Sequence, residues 1–160
     1  MKLSIGRYRS VLMTQYAFLI TDLLINTFCE YLRFESVILL VIFVIQDVCL
    51  IFSLIIVFLS FFSTYVFQAG LVGVLFNEFK TPIFVTITYI CLSIGFHIWS
   101  LNVRWYDPVS FWWTDGLVAL YVFQRSMSTL YYYYYKRTAL QITNPKFYDD
   151  SSWIQGEWGR

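Results

Sequence analysis

From Ser36 to Phe62 the chain carries a single charged residue, Asp47, which sits beside Gln46 in the run VIFVIQDVCLIF. A run of about 20 apolar residues crosses the roughly 30 Å hydrocarbon layer of a bilayer as a helix. Inside that layer only helices and closed barrels satisfy their own backbone groups. The stretch has no wet face, which a soluble amphipathic helix needs. Similar runs recur along the chain and place spans at about residues 9–29, 36–62, 82–101 and 116–135. The fold class that follows is all-α: a polytopic membrane protein with four transmembrane helices in one bundle. Composition agrees, because 59% hydrophobic and 22% aromatic against 13% charged is far outside a soluble domain.

Local signals set the boundaries. Thr81-Pro82 opens the third span, with proline in the first helical turn, and Thr114-Asp115-Gly116 opens the fourth with a capping side chain. The short link from Glu30 to Glu35 makes the first two helices antiparallel neighbours. The start of the chain resembles the n-region of a signal peptide. Without a small-residue cleavage site, and with Asp22 and Asn26 inside, it reads as a retained first helix. Residues 1–137 then form the membrane domain and 138–160 a short cytoplasmic tail. The segment FQAGLVGVLFNEFK, Phe67 to Lys80, is expected as a helix lying in the cytoplasmic interface between the second and third spans, or as an inward continuation of the second.

Positive charge orients the bundle. Lys2, Arg7, Arg9, Lys80, Lys136, Arg137, Lys146 and Arg160 fall on one side, against Arg33 and Arg104 on the other and Arg125 within a span. That bias places both termini in the cytoplasm. Trp105, Tyr106, Phe111, Trp112 and Trp113 on the outer side, and Tyr131 to Tyr135 on the inner, read as two interfacial aromatic belts.

Polar residues in the spans form stripes. Gln15, Asp22 and Asn26 share one face of the first helix, and Thr86, Ser93, His97 and Arg104 one face of the third. The second adds Gln46 and Asp47, and the fourth Gln124, Arg125 and Ser128. Helices that hide polar stripes must face one another. At about 1.5 Å per residue, Arg125, Asp47 and Asp22 lie roughly 14, 16 and 12 Å below their outer helix ends. Asp47 is therefore expected to pair with Arg125, with Asp22 competing or sharing. Two acids against one base leave one negative charge, to be met by protonation of an aspartate, by His97 or by water. Asp22, Asn26, Gln46, Asp47, His97, Gln124 and Arg125 form a candidate intramembrane clamp. The sharper alternative is a proton or ion path, as in a small transporter or channel subunit.

Other chemistry has no sequence support. His97 is the single histidine and the three cysteines, Cys29, Cys49 and Cys91, lack paired spacing, so no metal site, disulfide framework or cofactor is implied. His97 is expected to hydrogen-bond a neighbouring helix. No activated nucleophile or phosphate loop is legible, and an enzyme is not expected. A net charge of +1 points to no nucleic-acid partner. Membrane lipid is the implied surrounding, and oligomeric state is open. In the tail, Phe147, Tyr148, Trp153 and Trp158 are candidate anchors for a membrane surface or a protein partner.

FQAGLV after the long span, Gln46-Asp47 within it, NVRW at 102–105, WTDGL at 113–117, VFQR at 122–125, YKRTA at 135–139 and the tail NPKFYDDSSW together resemble the transmembrane protein 138 family. The resemblance implies a non-enzymatic, four-helix protein of the primary cilium and its base, working with membrane and scaffold proteins of the ciliary transition zone. It also implies roles in cilium assembly and in delivery of membrane cargo by transport vesicles, and links to Joubert-type ciliopathies. It brings no ligand site.

Overall fold

The computed structural model describes residues 5–32, 35–64, 67, 70, 72–106 and 115–142. Among them are four long helices: α1 (Ile5–Phe28), α2 (Ser36–Phe62), α3 (Val72–Arg104) and α4 (Asp115–Gln141), with one 3-10 turn at Cys29–Leu32 closing α1. Among the described residues, three stretches are long and apolar enough to cross a membrane: Arg9–Tyr31, Ser36–Phe62 and Phe76–Arg104.

Contacts give an up-down-up-down bundle. Phe18 stacks on Phe52 while Asp22 meets Gln46, so α1 and α2 run antiparallel. Phe43 against His97 and Phe61 against Phe79 do the same for α2 and α3. Tyr89 on Tyr131 and Phe96 on Tyr121 set α3 against α4. On α2 the buried residues are Leu39, Phe43, Gln46, Leu50, Ser53, Val57 and Phe61, stepping by four and three. On α3 the buried set includes Phe79, Ile83, Thr86, Ile90, Ser93, His97, Ser100 and Arg104, in the same rhythm. This is the spacing of helices crossing at a shallow angle, ridges into grooves. Where α4 begins, a Cβ on Gly116 would lie 2.9 Å from the Trp99 ring, so a glycine lets α3 and α4 approach there.

Two apolar clusters fill the interior. One gathers Leu50, Val57, Phe61, Phe79, Ile83, Tyr89, Tyr131 and Tyr135, the other Cys29, Leu39, Phe43, Phe96 and Leu117. Gln46, Ser93 and Gln124 fall between them in the rhythm of their helices and are also buried. The outward faces are apolar in turn, with Val41, Val44, Val48, Ile51 and Ile55 of α2 all exposed. Such a sleeve suits hydrocarbon, where burial of apolar side chains gives no driving force and close packing with polar bonds holds helices together.

Two sequence expectations change. The third helix begins at Val72, so Val72 to Lys80 is its first part rather than a separate helix, and Pro82 is interior. Proline forfeits one backbone hydrogen bond. Phe79 and Ile83 on either side of it pack in the cluster of Phe61, and that packing carries the helix through. The fourth helix contains the span expected at about 116–135 and runs on to Gln141, where Thr138, Ala139 and Ile142 are buried. The tyrosine run is no uniform belt: Tyr131 and Tyr135 are 1% and 2% exposed and Tyr133 is 60% exposed. Arg33, Phe111 to Thr114 and the tail residues Phe147, Tyr148, Trp153 and Trp158 lie outside the described residues.

Spin labels at the exposed positions Phe76 and Ile98 test the continuity of α3. A straight helix puts their attachment points about 33 Å apart at 1.5 Å per residue. A helix turned flat before Pro82 gives about 26 Å by the same rise, and pulsed electron resonance separates the two.

Candidate functional site

The Asp22 carboxylate, on a residue 1% exposed, is where all four helices meet. Its Oδ1 accepts from Gln46 Nε2 of α2 at 2.7 Å. Its Oδ2 accepts from Tyr132 OH of α4 at 2.6 Å, from Tyr89 OH of α3 at 3.0 Å, and from Asn26 Nδ2 one turn along α1 at 3.2 Å. A carboxylate has about four lone-pair sites; one donor reaches Oδ1 and three converge on Oδ2, in place of water. All of the donors are neutral.

The donors are themselves tied. Asn26 Nδ2 lies 2.8 Å from Tyr89 OH and 2.9 Å from Tyr132 OH, and Asn26 Oδ1 accepts from Gln46 Nε2 at 3.0 Å. Gln124 Nε2 of α4 reaches Tyr89 OH at 3.3 Å and Ser93 Oγ at 3.2 Å. Toward the chain termini the next polar layer pairs Ser53 Oγ with Tyr131 OH at 3.1 Å, while Tyr135 OH donates to the Ser53 carbonyl at 3.3 Å. The stacked rings of Tyr89 and Tyr131, 4.7 Å between centroids, join the two layers.

Asp47 does not pair with Arg125. Its Oδ1 lies 2.8 Å from Nδ1 of His97, whose ring stacks on Phe43 at 4.1 Å. Asp47 follows Gln46 by one residue, so the two side chains point about 100° apart on α2: Gln46 inward to Asp22, Asp47 sideways to α3. Depth along the axis was compatible with Arg125, and direction around the helix excludes it. Arg125 instead places Nη2 3.3 Å from Cys29 Sγ and its guanidinium carbon 5.0 Å from the Tyr121 ring centre.

A fourth group lies at the end of the bundle holding the α1–α2 link. Arg104, 1% exposed, donates from Nη2 to both oxygens of Glu30 at 3.0 and 3.1 Å, and its carbonyl accepts from Ser36 Oγ at 3.3 Å. One contact cluster thus joins α3, the 3-10 turn and the start of α2.

The structure brings Asp22, Asn26, Gln46 and Gln124 into one network, sets Asp47 with His97 apart from it, and leaves Arg125 beside Cys29. Sequence reasoning missed Tyr89 and Tyr132, and it treated Glu30 as a link residue. A signal was present for the partner of Glu30, since Arg104 shares the buried stripe seven residues from His97.

Long apolar helices knit by an internal polar network define a multi-pass α-helical membrane protein. The sequence model described as Transmembrane protein 138 matches residues 39–157. Transmembrane protein 138 of Mus musculus is 51% identical over 156 residues, covering 98% of this chain and 96% of that protein. The proteins of the same name from Xenopus tropicalis and Danio rerio are each 46% identical, over 97% and 99% of this chain and 96% and 98% of their own lengths. The chain belongs to the transmembrane protein 138 family. No solved structure matches it.

Side-chain hydrogen bonds in bilayers contribute about 0.6 kcal/mol on average and up to about 1.7. Tyr132→Phe, which strips the shortest bond to Asp22, is expected at the upper end of that range in unfolding measurements in bicelles. A double-mutant cycle of Asp47→Asn with His97→Ala should show coupling above about 0.5 kcal/mol, whereas Asp47→Asn with Arg125→Gln should add within about 0.5 kcal/mol. The reverse result restores the Asp47–Arg125 pair.

Proposed function

We propose that the chain is a non-enzymatic tetraspan component of the ciliary transition zone and ciliary base, serving cilium assembly and the trafficking of membrane proteins to the cilium. The observation that carries this reading is family membership over nearly the whole chain. The arrangement of polar groups supports a structural part: Asp22, Asn26, Gln46, Tyr89, Gln124 and Tyr132 bond one another across helices, as a clamp fixing helix order requires. On this reading α4 is the fourth span. Its outward residues Val122, Phe123 and Leu130 suit lipid, although inward glutamine, serine and tyrosine lower its average hydropathy.

Both termini lie in the cytoplasm on this proposal, with Lys80, Lys136 and Arg137 at the cytoplasmic end. The first turns of α3 and the tail aromatics Phe147, Tyr148, Trp153 and Trp158 then face cytoplasmic scaffold proteins, and the bundle meets lipid and other transition-zone membrane proteins. Tagged protein in a ciliated cell is expected as a tight band at the ciliary base, where proximity labelling returns transition-zone proteins. A signal confined to another organelle defeats the assignment. Purified protein in liposomes should pass no pH-dependent flux above empty vesicles. A flux abolished by Asp47→Asn would replace the scaffold with a transporter using Asp22, Asp47, His97 and Arg125.

A further inference from the structure

Pairing in the bundle leaves two opposite charges without a direct ionic partner, Asp22 and Arg125, and Arg125 acts on Asp22 only at a distance. Asp22 takes neutral donors from every helix, Asp47 takes His97, and Glu30 takes Arg104 with both oxygens. Arg125 contacts none of these acids. Its Nη2 points at a thiol, a weak acceptor, and its Nε and Nη1 are buried with no hydrogen-bond partner. A guanidinium held out of water in this way calls for an anion, since uncompensated charge at membrane depth is costly.

The position says which anion. Cys29 opens the 3-10 turn and stands two residues from Tyr31, where the apolar stretch of α1 ends. The long side chain of Arg125 therefore carries its charge from mid-helix to the edge of the hydrocarbon layer, as snorkelling arginines do. Val122, one turn before Arg125 on the same side of α4, is 57% exposed, and Phe28, next to Cys29, is 53% exposed. Cationic donors thus adjoin apolar surface. That combination fits an amphiphile whose phosphate meets arginine while its acyl chains lie on the helices.

We propose that Arg125, between α1 and α4 at the link end of the bundle, binds the phosphate of an anionic phospholipid. The full chain in nanodiscs of phosphatidylcholine doped with phosphatidylglycerol, followed by native mass spectrometry, tests this. Wild type should retain phosphatidylglycerol in preference to phosphatidylcholine. Loss of a charge-assisted bond in Arg125→Gln should cut retention about tenfold or more, and Arg125→Lys should hold an intermediate amount. Because Arg125→Gln can fail to fold, wild-type protein is also cross-linked with phosphatidylglycerol bearing a headgroup diazirine. The label is expected in peptides holding Phe28 to Leu32 and Tyr121 to Ser126.

Equal retention by wild type and folded Arg125→Gln, or cross-links elsewhere, overturns the proposal. Displacement of the lipid by millimolar inorganic phosphate assigns the site to a soluble oxyanion and overturns it too. Lipid retention that disappears when the protein is diluted to monomer gives the anion to a second copy of the chain and does the same.

Discussion

A carboxylate withdrawn from water must be resolvated by protein, at a cost of several kcal/mol if it is not. Asp22 meets that requirement with one donor from each helix: Asn26, Gln46, Tyr89 and Tyr132. Sliding any helix by one turn moves its donor about 5.4 Å, beyond hydrogen-bond reach. The network therefore sets the relative register of the helices, a task apolar side chains perform weakly in a medium as apolar as themselves.

Packing on either side follows that register. Leu39, Phe43 and Leu117 pack toward the link end, and Val57, Phe61, Phe79 and Ile83 toward the termini. Tyr89 and Tyr131 belong to both worlds, since their rings fill the apolar cluster while their hydroxyls enter the polar layers. Glu30 with Arg104 closes the link end by holding the 3-10 turn against the last turn of α3. Polar contacts are thereby distributed along the bundle axis, so no long interval depends on packing alone.

The same distribution separates charges by role. Asp22 and Asp47 are held in different directions by different partners, Gln46 for the one and His97 for the other. An arrangement of this kind holds four helices in one order. Arg125 departs from it: its contacts are a thiol and an aromatic ring, and it faces the seam between the first and last helices.

The sequence by itself determined the class, the α2 boundaries and the polar faces. A charge-poor run of bilayer length permits little else, and a period near 3.6 assigns each residue to a face. Asp22, Asn26, Gln46 and Gln124 were legible because amides and a carboxylate in apolar runs stand out. Tyr89 and Tyr132 were not, because tyrosine is as much at home in an interfacial belt as in a core. The start of α3 was misread at Pro82, where local propensity yields to the packing of Phe79 and Ile83 against α2. Partner choice belongs to the tertiary structure. Depth along a helix is readable from residue number, whereas the direction of Asp47 toward His97 rather than Arg125 depends on how α2 is rotated against α3, and that rotation exists only once all four helices have packed.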